Sequence, residues 1–233
     1  MKKPSVWSLS LLALALCAIS LPAMAQTTFF SDLGTGNDVY QEGTGWTMGG
    51  SGTLGNFVYD ANEFTALASG SVSQIDIGVG YVEGTNSFFA ALYEAGNNGL
   101  PSTEIGQWND LTITQSFGGC CGLVSITGIT GVDLTAGQSY FLVIGPTDNG
   151  STLWGAWNLN STGASGTLLQ AQSGCTSGGG GAGCSWSSFS DSTLGAFDVL
   201  GGSGGTVPEP SSFILMGTGL LGIFGAARRK IWR

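Results

Sequence analysis

The residues able to do chemistry in this chain are almost all carboxylates. Its 233 residues include 15 Asp and Glu, six Lys and Arg, and no His. Two carboxylates held roughly 5–10 Å apart are enough for glycoside hydrolysis. Asp76, Glu83, Glu94, Glu104 and Asp110 fall on or beside stretches that read as strands. No spacing ties any two of them together, so a solvated acidic face is the plainer reading. The same oxygen chemistry suits calcium, a hard cation that takes carboxylates and carbonyls from loops. Asp60-Ala61-Asn62-Glu63 and Asp148-Asn149-Gly150 make Asp60, Glu63 and Asp148 candidate ligands, although neither stretch completes a loop motif. No other cofactor is implied.

What is missing excludes more. Without His there is no Ser-His-Asp or Cys-His machinery and no imidazole ligand for a metal. The six cations are Lys2, Lys3, Arg228, Arg229, Lys230 and Arg233, and nothing from Pro4 to Ala227 is basic. A body with no cation cannot neutralise phosphates, which removes nucleic acid as a partner and phosphoryl transfer as a reaction. Every acid but Glu209 lies between Asp32 and Asp198, so the formal charge of −9 understates the anionic character of the body.

Four cysteines lie in that body: Cys120, Cys121, Cys175 and Cys184. An even count in an exported chain favours disulfides. Cys175 and Cys184 bracket Thr176-Ser177-Gly178-Gly179-Gly180-Gly181-Ala182-Gly183, read as a flexible loop that a disulfide would close. That pairing leaves Cys120 and Cys121 as a vicinal disulfide or an intermolecular link. Crossed pairing between the two sites is the main alternative. A four-thiolate zinc site is a weaker one, because adjacent cysteines are poor tetrahedral ligands.

Trp46, Trp108, Trp154, Trp157 and Trp186 raise carbohydrate binding, since aromatic faces stack on sugar rings and a lysine-free polar surface suits a neutral glycan. Trp154 and Trp157 are three apart, so on a strand they point to opposite faces and form no shared platform. Packing is the plainer reading for most of them.

The elements that must hold these residues are strands. Helical periodicity is scarce, whereas Ile75, Ile77, Val79 and Tyr81 alternate along Ser73–Tyr81. Ser87–Ala95 reads as a strand apolar on both faces, and Asn97-Asn98-Gly99 supplies the tight turn after it. Further strands are expected over Asn56–Phe64, Ile105–Thr114, Leu123–Ile129, Ser139–Gly145, Leu153–Leu159, Thr167–Gln172 and Leu194–Leu200. Many short strands separated by Gly, Asn, Asp and Ser predict one all-β domain over residues 26–200, an antiparallel β-sandwich or jelly roll. A parallel β-helix competes, but no fixed-period repeat supports it.

The two ends read as addresses. Lys2-Lys3, an apolar run from Val6 to Ile19 and Ala23-Met24-Ala25 make a signal peptide over residues 1–25, with cleavage after Ala25 and a mature chain starting at Gln26. Cys17 follows Leu16, not the small residue that lipidation needs, and goes with the peptide. A Gly-rich linker over residues 201–207 leads to a second address over 208–233. It consists of Pro208-Glu209-Pro210, an apolar run over 211–227 and a basic tail that opens with Arg228-Arg229-Lys230. Seventeen residues rise roughly 25 Å as a helix, the short limit for a bilayer core. The basic cluster after them is a cytoplasmic stop, which leaves the body outside.

That order of parts resembles the PEP-CTERM sorting signal of Gram-negative bacteria. The resemblance implies that Pro208, Glu209 and Pro210 are recognised by an exosortase, an integral-membrane transpeptidase-like enzyme. It further implies an inner-membrane-anchored precursor cut near the motif and passed to the cell surface, often where exopolysaccharide is made. A GPI signal is the rival, and the basic ending argues against it. A second, looser resemblance spans residues 55 to 160. Leu92-Tyr93-Glu94-Ala95-Gly96-Asn97-Asn98-Gly99-Leu100-Pro101, with Leu134-Thr135-Ala136-Gly137-Gln138-Ser139-Tyr140 after it, is similar to the choice-of-anchor surface domains. It implies a β-sandwich with no catalytic residues. The expected function is a non-enzymatic surface or matrix protein, with a carbohydrate-binding module as the alternative and an acidic glycoside hydrolase as a remote third.

Overall fold

The computed structural model describes residues 26–181 and 183–202. The expected signal peptide, sorting motif, membrane helix and basic tail lie outside them. Fifteen strands and one short helical turn, α1 (Ser51–Leu54), run in chain order: β1 (Thr27–Ser31), β2 (Tyr40–Gly49), β3 (Tyr59–Thr65), β4 (Gly70–Ile77), β5 (Val79–Glu83), β6 (Phe88–Ala95), β7 (Pro101–Leu111), β8 (Gln115–Ser116), β9 (Val124–Thr127), β10 (Asp133–Leu134), β11 (Ser139–Pro146), β12 (Trp154–Asn160), β13 (Ser165–Ala171), β14 (Trp186–Thr193) and β15 (Phe197–Gly201). The architecture is all-β, as expected, with antiparallel pairing throughout except the short β5–β8 contact.

A six-stranded sheet runs β14-β13-β3-β11-β6-β7; a five-stranded sheet runs β1-β15-β4, with β9 and β10 both on β4; a four-stranded sheet runs β2-β12-β5-β8. Alternation decides which side chains meet. On β11, Tyr140, Leu142 and Ile144 enter the main core, and so do Phe88, Ala90 and Leu92 on β6. Ile75 and Ile77 of β4, Val124 and Ile126 of β9, and Phe197 and Val199 of β15 face them from the five-stranded sheet. Phe197 is where the three sheets meet. Its ring lies 4.6 Å from Phe30, 5.7 Å from Phe64 and 5.6 Å from Trp157, one neighbour from each sheet. Trp157 is fully buried and donates its indole N–H to the Ala196 carbonyl at 3.1 Å.

The stretch read as one strand over Ser73–Tyr81 is two. The chain leaves the five-stranded sheet after Ile77 and joins the four-stranded one at Val79. Gly78 makes the crossing because a Cβ there would stand 2.9 Å from the Tyr40 ring and 3.2 Å from Ala196. Its N–H reaches the Ala196 carbonyl, and its own carbonyl receives the Asn158 N–H, which ties the two sheets together. The expected turn after β6 is present, with Gly99 at φ 72° and the Gly96 N–H on the Leu100 carbonyl. Among the described residues no helix is long and apolar enough to cross a membrane.

Candidate functional site

The acidic candidates do not share one face. Glu104 on β7 accepts the Tyr93 hydroxyl at 2.9 Å, and Asp110 at the far end of that strand accepts from Ser87 at 3.3 Å. Glu83 ends β5, and Glu94 is exposed on β6. Asp76, for which the sequence suggests a solvated face, is only 7% exposed. It sits mid-strand on β4, directly opposite Asp198 of β15 on one side and Ser125 of β9 on the other. Ser31 of β1 continues the row beyond Asp198. Their neighbours in sequence point into the core, so this row occupies the other face of the five-stranded sheet. Gln74 donates to Asp76 Oδ2 at 2.7 Å, while Asp76 Oδ1 and Asp198 Oδ1 have no partner.

A third acid joins them. Asp32, just past β1, is 2% exposed; its Oδ1 accepts the Phe197 N–H at 2.7 Å and its Oδ2 is unpartnered. Desolvation pushes Asp32 up to about 7, against the lowering effect of that hydrogen bond. Desolvation and then the charge of Asp76 push Asp198 up to about 7 as well. Sequence reading misses Asp32 and Asp198, because strand pairing between residues more than a hundred positions apart brings Asp198 opposite Asp76 and Asp32 close to Asp198.

The calcium candidates separate. Asp60 and Glu63 are three apart on β3 and take opposite faces. Asp60 is fully buried, accepts from Gln170 Nε2 at 2.8 Å, and is pushed up to about 8 by desolvation. Asp148 lies in the turn before β12, where its Oδ1 accepts the Gly150 N–H at 2.9 Å. Among the described residues no group of three or more acidic or cysteine side chains could hold a metal ion.

Both cysteine pairs form in the first of the expected arrangements, Cys175 with Cys184 and Cys120 with Cys121. The Gly-rich loop closed by the first pair is not the free tether its composition predicts. It lies over the outer face of the six-stranded sheet, where Tyr59, Phe89, Tyr93, Phe141, Val143 and Leu169 form a second apolar cluster with Cys184. Two tyrosines bind the loop by its backbone. The Gly178 N–H donates to the Tyr59 hydroxyl at 3.1 Å and the Gly180 N–H to the Tyr93 hydroxyl at 3.2 Å. Burial pushes the Tyr59 phenol up to about 12 and raises Tyr93 further, so both stay protonated at neutral pH. Glycine is required at position 180, since a Cβ would collide with Val143.

Among the tryptophans, Trp157 is core and Trp108 packs against the core, while Trp186 lies against the second cluster and donates to the Gly181 carbonyl at 3.3 Å. Trp154 is half-buried on β12. Trp46 is different. It is half-buried on β2, donates its indole N–H to the Thr193 carbonyl at 2.8 Å, and stands 6.2 Å from the ring of Phe189, which is 42% exposed on β14. This pair lies at the margin of two sheets among Ser187, Ser188, Ser190 and Ser192.

Past the described residues, comparison with protein families decides the C-terminal address. Residues 206–230 match the PEP-CTERM protein-sorting motif. The PEP-CTERM match covers Pro208, Glu209, Pro210, Arg228, Arg229 and Lys230, and it carries export and exosortase processing in a Gram-negative bacterium. The choice-of-anchor resemblance over residues 55 to 160 finds no such support. No curated protein and no solved structure matches the chain.

Proposed function

We propose that residues 26–202 are the non-enzymatic body of a cell-surface or matrix protein, a β-sandwich delivered through the PEP-CTERM signal. The signal peptide over residues 1–25 starts export, the helix over 211–227 holds the precursor in the inner membrane, and an exosortase-type enzyme processes it near Pro208-Glu209-Pro210. The match at residues 206–230 carries this reading. A body with acids and no cation fits an exported layer of hydrated polymer, where self-repulsion keeps chains soluble and apart. Against hydrolysis stands the burial of Asp76, which leaves one member of the close carboxyl pair out of reach of a polymer in solvent.

The test is mass spectrometry of the mature termini in each cell fraction. A secreted or surface form that begins at Gln26 and lacks Arg233 is expected, and an extracellular chain still ending in Arg233 overturns the reading.

A second reading, glycan binding within the exopolysaccharide layer, has one specific observation behind it: the exposed Phe189 ring beside Trp46 on a serine-rich edge. Polysaccharide pull-down with the native protein and with Phe189→Ala separates the two readings. Retention lost in the variant favours binding, and no retention by either favours a structural role.

A further inference from the structure

The two disulfides sit in contrasting settings. Cys175–Cys184 spans nine positions, with Cys184 buried and Cys175 half-exposed. Cys120–Cys121 joins neighbours in sequence. A disulfide stabilises a fold by constraining the unfolded chain, and the effect grows with the loop closed. Between adjacent residues there is no loop to close, so this bond contributes little to stability by that route. Its segment is held by other means. Tyr40, with its side chain fully buried, directs its hydroxyl at the carbonyls of Gly119 (3.2 Å) and Gly122 (3.3 Å), which bracket the pair. Both cysteines are half-exposed. Their sulfurs lie 3.5 and 3.4 Å from the carbonyl oxygen of Asn37. A disulfide has no hydrogen to offer that acceptor, whereas a thiol does. Reduction would therefore let either sulfur donate to that carbonyl.

We propose that Cys120–Cys121 is a thiol–disulfide exchange site that takes external thiols and prefers neutral or cationic ones. An incoming thiolate attacks one sulfur of the pair and forms a new S–S bond to it. The Cys120–Cys121 bond breaks, and its electron pair leaves on the other sulfur, which takes up the proton lost by the incoming thiol. A second external thiol attacks the mixed disulfide in the same way, so two external thiols are oxidised to one disulfide and the protein pair is reduced. Tyr40, not the S–S bond, fixes the segment, so the fold holds in both redox forms. Selection by charge follows from composition: Asp38 adjoins Asn37, burial and, to a lesser degree, the charge of Glu42 raise the Tyr40 phenol, and no cation lies between Pro4 and Ala227. Such a field lowers the local concentration of anionic reagents.

The test exposes the full-length protein to cysteamine, 2-mercaptoethanol or 2-mercaptoethanesulfonate, quenches with iodoacetamide, and measures labelling of each pair by peptide mass spectrometry. Cys120 and Cys121 should open at least about twofold faster than Cys175 and Cys184, because both sulfurs of the first pair are half-exposed, whereas in the second only Cys175 is and Cys184 is buried. After correction for thiolate fraction, cysteamine should outpace the sulfonate by at least about threefold at low ionic strength, and the gap should close near about 0.5 M salt. Equal rates for the two pairs overturn the proposal, and rates blind to reagent charge overturn its selectivity. Loss of the near-ultraviolet circular dichroism on opening Cys120–Cys121 alone also overturns it, since Tyr40 would not then be what holds the segment.

Discussion

Asp198 of β15 stands directly opposite Asp76 of β4, two acids on one face of the five-stranded sheet with no cation in the domain to separate them. Cross-strand neighbours on one face interact strongly, and like charges there are destabilising. Asp198→Asn keeps the shape and replaces a repelled oxygen with a donor for Asp76. We expect the variant to melt above the wild type at pH 8 and to match it near pH 5. A variant that melts lower at both values would show that the charge is not what the pair has to bear.

Three desolvated acids give the whole domain an unusual pH profile. Asp32 and Asp198 are pushed up to about 7 and Asp60 to about 8, mainly by desolvation, from an ordinary value of 3.8. A raised carboxyl binds its proton more tightly in the folded state, so folding is favoured at low pH. That contribution is full below about pH 4, declines as pH rises, and is gone above about pH 8. The melting temperature should therefore fall by at least about 5 °C between pH 5 and pH 8.5. Differential scanning calorimetry across that range checks it, and a flat or rising profile contradicts the desolvation of these acids.

Opening Cys175–Cys184 should weaken the fold through the loop it secures. Closing a loop of this length is worth roughly 2–3 kcal/mol, and the same loop covers Tyr59, Phe89, Tyr93 and Phe141. Cys175→Ser with Cys184→Ser should lower the urea midpoint and raise binding of an apolar dye to the native state. Unchanged dye binding would mean that the loop stays in place without its bond.

Gly195 lies against the Trp157 indole, where an added Cβ would stand only 2.5 Å from three ring atoms. Its N–H also donates to Asn62 Oδ1 at 3.3 Å, so the backbone has little room to move away. Gly195→Ala should cost about 1–3 kcal/mol by overpacking. Urea unfolding followed by tryptophan fluorescence measures it, and a loss below about 0.5 kcal/mol would show that the sheet junction yields.

Calcium should leave stability unchanged. Asp60 faces the interior, Glu63 the opposite face of β3, and Asp148 its own turn, so the three cannot share an ion in this arrangement. Chelation is expected to shift the melting temperature by less than about 1 °C, and a clear fall would require a site built otherwise.

Much of the fold is legible along the chain because alternation and turns are local. β6, β9, β11, β12 and the turn at Gly99 fall where apolar spacing and turn residues place them. β2 and β14 are not legible. Tyr40-Gln41-Glu42-Gly43-Thr44 at the start of β2 and the serine-rich β14 have neither alternation nor branched apolar residues, and pairing with β12 and β13 makes them strands. The Gly-rich loop misleads for a similar reason. Composition measures freedom in isolation and says nothing of the Tyr59 and Tyr93 hydroxyls that fix it.

By itself the sequence determined the all-β class, the anionic body, the four body cysteines and the sorting address, because each is written in composition or in residues close together along the chain. Only the tertiary structure decided that Asp198 stands opposite Asp76 and close to Asp32, that Gly78 passes the chain between sheets, and that a glycine loop covers an apolar face. Those relationships join residues far apart in sequence through strand register, and register is set by the packing of all three sheets around one core.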